Sequence, residues 1–480
     1  MRWSLVRDNP LVVVLLAGFV GGRLAVWFRE PVFPTPDSPS YRGGDGLTLA
    51  DVLSFGGHAP RLWGTPLFYA IFPGDGARAL AQWTVGTLAW SVLAVVLYAQ
   101  LRSTSTRVVA AAAVLVLGLL PEVTNWDFAI MSESLSISLG VAVLALLIWF
   151  LRSERWPALV ALTITAFWWT FVRPEIRLMV GFLILVLASY AVLRKARRRG
   201  VVVAAAVLVV AVGWVTAITP VMDRTYAARA WNGLSLTEAT FVYRLRHQIM
   251  PNHEVMAVYQ RELGMPDCPA AERIAKVRAW ETSQFFRAYL SCPDMVAWGQ
   301  QNAGSSGYRF ALADPSLYAR ETLRVLPASL SGEVNRGSAV LPEAVERAVF
   351  PPQRVVLDTL AGGYLSALVV AAVAGAFRRR KVLVYTSLGV FVASVVSIFA
   401  ELMYSAGDYV RFGIQEAVFI RLAIVLTAIA AIDALIGRLR NEAPARALPE
   451  PATAAALPEP ATAAALPEPV EPSEPAETTD

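Results

Sequence analysis

Long apolar runs alternate with short polar, arginine-bearing breaks along most of this 480-residue chain. Runs at 11–28, 79–101, 176–193, 201–219, 355–377, 382–402 and 417–435 approach or reach the ~20 residues that a helix needs to cross ~30 Å of hydrocarbon. Weaker runs lie near 108–120, 134–151 and 158–172, the first of them short enough to be re-entrant. The pattern predicts an all-α fold, a polytopic membrane helix bundle of about ten transmembrane helices. The first run follows Arg2 and Arg7 but is longer than the apolar stretch of a signal peptide. It also lacks a small-residue cleavage site, so it reads as a retained helix.

The polar breaks orient the bundle. Clusters at Arg2/Arg7, Arg102/Arg107, Arg152/Arg155, 194–199, 378–381 and Arg438/Arg440 all fall on one side of a ten-span path. The positive-inside bias makes that side cytoplasmic, together with both termini. The opposite side then receives a first loop at 29–78, with amphipathic stretches at 47–55 and 67–72, and short turns at 122–132 and 173–177. It also receives the polar segment 220–352, whose amphipathic patches at 270–290 and 315–326 predict a small, mostly helical extracytoplasmic domain. An N-terminal membrane module (1–219) and closing helices (353–440) flank that domain. Beyond 441 the motif Ala-Leu-Pro-Glu-Pro-Ala-Thr-Ala-Ala repeats every nine residues. Proline at this density blocks helix, and the few leucines cannot offset chain entropy, so a disordered cytoplasmic tail is expected.

Composition narrows the class. A chain that is 56% hydrophobic and 16% charged is not a soluble domain. The net charge of +5 reflects the cytoplasmic arginines and the membrane lipids they face; it does not point to nucleic acid. Lysine is confined to Lys195, Lys276 and Lys381 while alanine and valine abound, which suggests a high-GC bacterium and hence a plasma membrane. Both cysteines, Cys268 and Cys292, lie in the outer segment, where an oxidising compartment favours a disulfide. Closing a loop of that length would contribute about 3 kcal/mol. His58, His247 and His253 also fall outside. The spacing of the last two is not that of helical metal ligands, and His58 is the one placed for acceptor contact. Nothing calls for a cofactor; a divalent metal is compatible with the carboxylates, but no ligand spacing indicates one.

The chemistry concentrates on the outer face. Pro34-Thr-Pro-Asp37-Ser-Pro-Ser-Tyr41 holds an acid at the membrane lip in a stretch stiffened by prolines, and Asp45 follows. Asn125-Trp126-Asp127 and Ser132-Glu133-Ser134 precede and open one span. Arg173-Pro174-Glu175-Ile-Arg177 joins two others, and Glu401, Tyr404, Asp408, Tyr409 and Arg411 form the last outer turn. Arg23 sits a turn or two inside the first span. Ionisable groups at this depth are functional candidates because desolvation makes them expensive. Each also has a structural alternative: Glu133 as a helix cap, Arg23 as a snorkelling cation, and Arg173 with Glu175 as a mutual pair.

Outside the membrane there is no nucleotide pool, so an activated substrate must arrive on a lipid. A polyprenyl-phosphate sugar fits: its phosphate suits arginine forks, its chain needs an apolar groove, and the acceptor hydroxyl needs a base. Attack opposite the leaving phosphate would invert the anomeric centre. On this reading Asp37 is the base, assisted by Glu133. Arg23, Tyr41, Asp45, His58, Arg173, Arg177, Tyr409 and Arg411 are the substrate-binding candidates, and the acceptor is a glycan, glycolipid or protein.

Asp37-Ser-Pro-Ser-Tyr41, Thr65-Pro66-Leu-Phe-Tyr69, Met131-Ser-Glu133-Ser-Leu135 and Asp408-Tyr409-Val-Arg411-Phe412 also carry a likeness. In this order, over about residues 1–437, the chain resembles the GT-C superfamily of membrane glycosyltransferases, which use polyprenyl-phosphate-linked sugars. The resemblance implies an acidic first-loop base and a Tyr-Arg-aromatic turn near the final helices. Many members pair two acids in the first loop. Here Ser38 follows Asp37 and the next acid is Asp45, which leaves Asp45 as an alternative base. Two other classes use the same features: a transporter or flippase of lipid-linked glycans, and a non-catalytic envelope scaffold.

Overall fold

A computed structural model describes residues 10–42, 61–194, 198–228, 230, 232–275, 282–332, 339–402 and 408–442. Asp45, His58, Tyr404, the stretch 47–55 and the repeat tail at 443–480 lie outside the described residues. Ten principal helices follow the hydropathy pattern: α1 (Pro10–Trp27), α2 (Asp75–Gln100), α3 (Thr104–Leu117), α4 (Glu133–Ser153), α5 (Trp156–Thr170), α6 (Arg177–Leu193), α7 (Arg198–Ala227), α8 (Gln353–Val373), α9 (Lys381–Leu402) and α10 (Tyr409–Glu442). Among the described residues eight of these are long and apolar enough to cross a membrane. The other two, α3 and α5, correspond to weak runs. The α3 helix bends by 59° into the short helical segment Pro121–Asp127, and α5 is a shorter apolar helix. The only described non-helical pairing is an isolated bridge between Phe33 and Ala129.

Two boundaries differ from the hydropathy reading. The seventh span was expected to end at 219, but α7 continues through Pro220 to Ala227. Thr216 and Thr219 donate their hydroxyls to the carbonyls of Val212 and Val215 at 2.8 and 2.6 Å, which keeps polar groups satisfied near the proline. The last span was expected from 417, but α10 already begins at Tyr409. Its polar first turns are legitimate helix because Gln415, Glu416 and Arg421 are buried against polar partners.

The described residues up to Arg438 form one compact unit. Within it the segment between α7 and α8 has an apolar core of its own, built by Phe241, Tyr259, Tyr289, Met295 and Phe310 from helices at Leu236–Arg244, His253–Arg261, Thr282–Leu290, Pro293–Asn302 and Ser306–Ala313. Cys268 and Cys292 are disulfide-bonded beside that core, with Cα atoms 5.9 Å apart. The connection back to the bundle rests on Arg421 of α10. Its guanidinium donates to the carbonyls of Val349 and Leu330 at 2.6 and 2.8 Å and lies 3.7 Å from the centre of the Phe350 ring. At the opposite end, Asp433 of α10 pairs with Arg380 and accepts from the backbone N–H of Ser103 at 3.1 Å. This contact ties the ends of three segments together.

Candidate functional site

The first loop is fastened before it presents Asp37. Phe33 donates its N–H to Phe128 O at 3.0 Å and accepts from Ile130 N–H at 3.3 Å. Ser38 then donates to Ile130 O at 2.8 Å. Tyr41 is buried and shares a 3.0 Å hydrogen bond with the Ser132 hydroxyl. The segment 128–132 that receives these bonds is itself held by Tyr69, which donates to Met131 O at 2.7 Å, and by Gln82, which donates to Asp127 O and Ala129 O at 3.0 and 3.1 Å. Burial raises the Tyr69 phenol well above its ordinary value, keeping it a donor. The proline-aromatic stretch Thr65–Tyr69 is therefore a brace for the segment that leads into Glu133.

A second brace delivers the cations. Gly64 donates to Phe171 O at 3.0 Å, and a Cβ at Gly64 would stand 2.5 Å from that oxygen, so only glycine allows the approach. Trp63 packs on the same corner, 5.0 Å from the Phe171 ring. This contact fixes Arg61 on the loop side and Arg173 on the bundle side.

The resulting cluster is continuous. Arg411, in the first turn of α10, pairs with Asp37 through Nη1 and donates from Nε to Glu133 Oε1 at 2.6 Å. Arg173 approaches the same Glu133 oxygen at 3.4 Å and Glu175 at 3.5 Å. Arg61 reaches Asp37 at 3.3 Å and stacks over Tyr41 at 4.3 Å. Glu133 has no exposed side-chain surface, whereas Asp37 retains 35%. Asp37, Glu133 and Glu175 thus share three arginines, with Asp408 4.0 Å from Arg411; Glu133 is the closed carboxylate, and Asp37 is the partly open one that two of the arginines hold. Burial alone would raise the Asp37 carboxyl, but Arg61 and Arg411 outweigh it and hold it below the usual range. Burial works against the Arg173 cation too, yet Glu175 and Glu133 raise its value above the ordinary one. Tyr243, between α7 and α8, is raised by burial and by the Asp37 charge.

Several expected residues have other places. Arg23 is 1% exposed and enclosed: it meets Asp127 at 2.7 Å and donates to Thr87 Oγ1, Gly118 O and Trp83 O. It is a buried strut between α1, α2 and the α3 bend, it does not snorkel, and none of its partners belongs to the Asp37 cluster. Arg177 is turned aside, donating to Pro174 O at 2.6 Å and toward Thr216. Tyr41 is buried under Arg61, where it holds the loop. Tyr409 is half-buried beside Gln248, from the segment between α7 and α8. Glu401 belongs to the last turn of α9, not to the turn beyond it. There it is buried, and the Ser397 hydroxyl lies 2.8 Å from Glu401 and 2.9 Å from Glu416.

Sequence reasoning missed Arg61, Ser397 and Glu416. Arg61 carried one signal, a cation four residues before Thr65-Pro66; Glu416 carried another, a charge on the edge of an apolar run. Among the described residues no group of three or more His, Cys, Asp or Glu side chains could hold a metal ion. Comparison with family models, with curated proteins and with solved structures finds no match to the chain.

Proposed function

We propose that the chain is a membrane glycosyltransferase that moves a sugar from a polyprenyl-phosphate donor to an extracytoplasmic hydroxyl of a glycan, glycolipid or protein. Asp37 carries the reading: a partly open carboxylate held by Arg61 and Arg411, beside the buried Glu133, at one end of an apolar bundle. The donor phosphate would compete with Asp37 for Arg61 and Arg411. As these cations turn to the phosphate, Asp37 loses the partners that depress its proton affinity and becomes a better base. The anomeric C–O bond to phosphate then breaks, the polyprenyl phosphate leaving with the electron pair. The acceptor oxygen bonds to the opposite face of the sugar, its proton passes to Asp37, and the anomeric configuration inverts. Glu133 stays ion-paired and aims Arg411 and Arg173.

The orientation follows the same logic. Counting the bent α3 unit and α5 as crossings gives ten spans. The ends bearing Arg102, Arg152, Arg194, Arg378 and Arg438 are then cytoplasmic, in a bacterial plasma membrane. The disulfide supports an extracytoplasmic outer segment.

One observation favours a second reading, proton-coupled movement of lipid-linked glycans: the buried Glu401–Ser397–Glu416 group. That group lies within about two turns of the outer helix ends, whereas transporter sites gather near the midplane. Incubating the purified full chain with synthetic polyprenyl-phosphate sugars and glycan acceptors tests the proposal. It predicts release of polyprenyl phosphate and an inverted linkage. Leaflet-to-leaflet movement of the intact donor in reconstituted vesicles, without cleavage, would establish the transporter instead.

A further inference from the structure

The bundle holds a cavity of about 630 Å³, bounded by α4, α6, α9, α10 and Trp169 of α5. Its walls are apolar, with Leu147, Leu183 and Val390 among its lining. It extends from Lys381 to Ala393 along α9, twelve residues, or roughly 18 Å at 1.5 Å per residue. That is close to the depth of one leaflet, half of the ~30 Å hydrocarbon core. Leu185, Leu193 and Tyr385 line it and are exposed, so it opens through the side of the bundle.

Three stacked layers run from the Asp37 cluster to the closed end of this slot. On α4, Glu133, Ser136 and Gly140 follow one another on one face, and on α10 Arg411, Gln415 and Phe419 do the same. Glu133 meets Arg411, and Ser136 donates to Gln415. Below them Phe419 and Trp169 close over Gly140, where a Cβ would stand 2.5 Å from the Phe419 ring. Trp169 is pinned by its indole N–H to Ser136 O at 2.9 Å. A chain hanging from a phosphate at Arg411 therefore meets a floor and does not enter the slot.

The other end is polar. Arg194 and Lys381 stand at the mouth, and Thr386 lines the slot just inside it. Thr386 is 7% exposed, and its hydroxyl has no hydrogen-bond partner among the described residues. Other span hydroxyls, such as Thr87, Thr163 and Ser394, fold back onto the carbonyl four residues earlier. Thr386 offers its hydroxyl to whatever fills the slot.

We infer that this slot binds one acyl chain of an anionic phospholipid from the leaflet opposite the Asp37 site, with the phosphate on Arg194 and Lys381 and a glycerol ester oxygen on Thr386. The inference is independent of glycosyl transfer. Each cation near the headgroup plane should favour an anionic over a zwitterionic lipid by about fivefold.

The test uses the full chain, equilibrated in mixed micelles of equimolar phosphatidylglycerol and phosphatidylcholine. Native mass spectrometry then counts the lipids that survive detergent exchange. Wild type should retain one phosphatidylglycerol in clear preference to phosphatidylcholine. A Cβ at Gly389 meets nothing within 4 Å, so Gly389→Leu fills the slot without a clash and should lose at least ~90% of the retained lipid. Arg194→Gln with Lys381→Gln should keep the fold, read by its melting temperature, and lose the preference. Three results would overturn the inference: equal retention of both lipids by wild type, undiminished phosphatidylglycerol in folded Gly389→Leu, or one-for-one displacement of phosphatidylglycerol by a prenyl phosphate. Should Gly389→Leu not fold, the double charge removal decides, and an unchanged preference for phosphatidylglycerol there would equally overturn it.

Discussion

Two arginine–aspartate pairs in this bundle, Arg23–Asp127 and Arg411–Asp37, are built from the same groups and do opposite things. Arg23 and Asp127 are 1% and 3% exposed, and Arg23 spends its remaining donors on Thr87, Gly118 and Trp83. Asp127 also accepts from Ser134 at 2.5 Å. A pair so saturated has nothing left to offer a substrate; it holds α1, α2 and the α3 bend together. Asp37 keeps a third of its surface exposed and is held by Arg61 and Arg411, cations that a phosphate can claim. The contrast teaches that depth in a membrane identifies costly groups, while spare bonding capacity distinguishes a site from a strut.

Breaking the strut should have the largest effect on the fold. Arg23→Met leaves Asp127 buried without its partner and should cost about 3–5 kcal/mol of stability, read by unfolding in mixed micelles. If the variant is as stable as wild type and has lost donor binding instead, the roles of the two pairs are exchanged. Next comes the open pair. Arg411→Gln should weaken donor binding by about 1.5–3 kcal/mol, measured by calorimetry with a polyprenyl-phosphate sugar. Arg177→Ala should change it by less than about 0.5 kcal/mol, because that guanidinium serves Pro174 and Thr216. Equal losses at both positions would remove the distinction drawn between them.

The smallest effect concerns pH. Activity needs ionised Asp37, so it is present above the Asp37 pKa and lost as pH falls through it. Arg61 and Arg411 hold that pKa low. Arg61→Gln removes one of the two, so the acid limb of kcat/KM should move upward by about one pH unit. An unmoved limb would mean that Asp37 is not the group being titrated.

Much of the bundle was legible because a span must be apolar over its whole length, and α1, α2, α6, α8 and α9 leave little choice of place. The Pro220 boundary was not legible, since hydropathy does not reveal that α7 continues past the proline. The site was half legible. Asp37, Glu133, Arg173 and Arg411 come from four segments far apart in the sequence, and the structure brings all of them together. Which arginine faces the cluster could not be read, because Arg23 and Arg177 look equally available until their partners are known. Arg61 was hidden for the converse reason: its one local signal, a cation just before Thr65-Pro66, is weak, and the packing of Trp63 and Gly64 on Phe171 fixes its neighbourhood.

The most direct test of the open pair is turnover by purified Asp37→Asn, measured beside donor affinity and melting temperature. The amide keeps the size of the carboxylate and most of its hydrogen bonding but cannot take the acceptor's proton. Turnover should fall by roughly 10²–10⁴-fold while the fold survives and donor binding is undiminished or tighter, since the amide no longer competes with the phosphate for Arg61 and Arg411. Near-normal turnover by the folded variant would contradict the account at its centre.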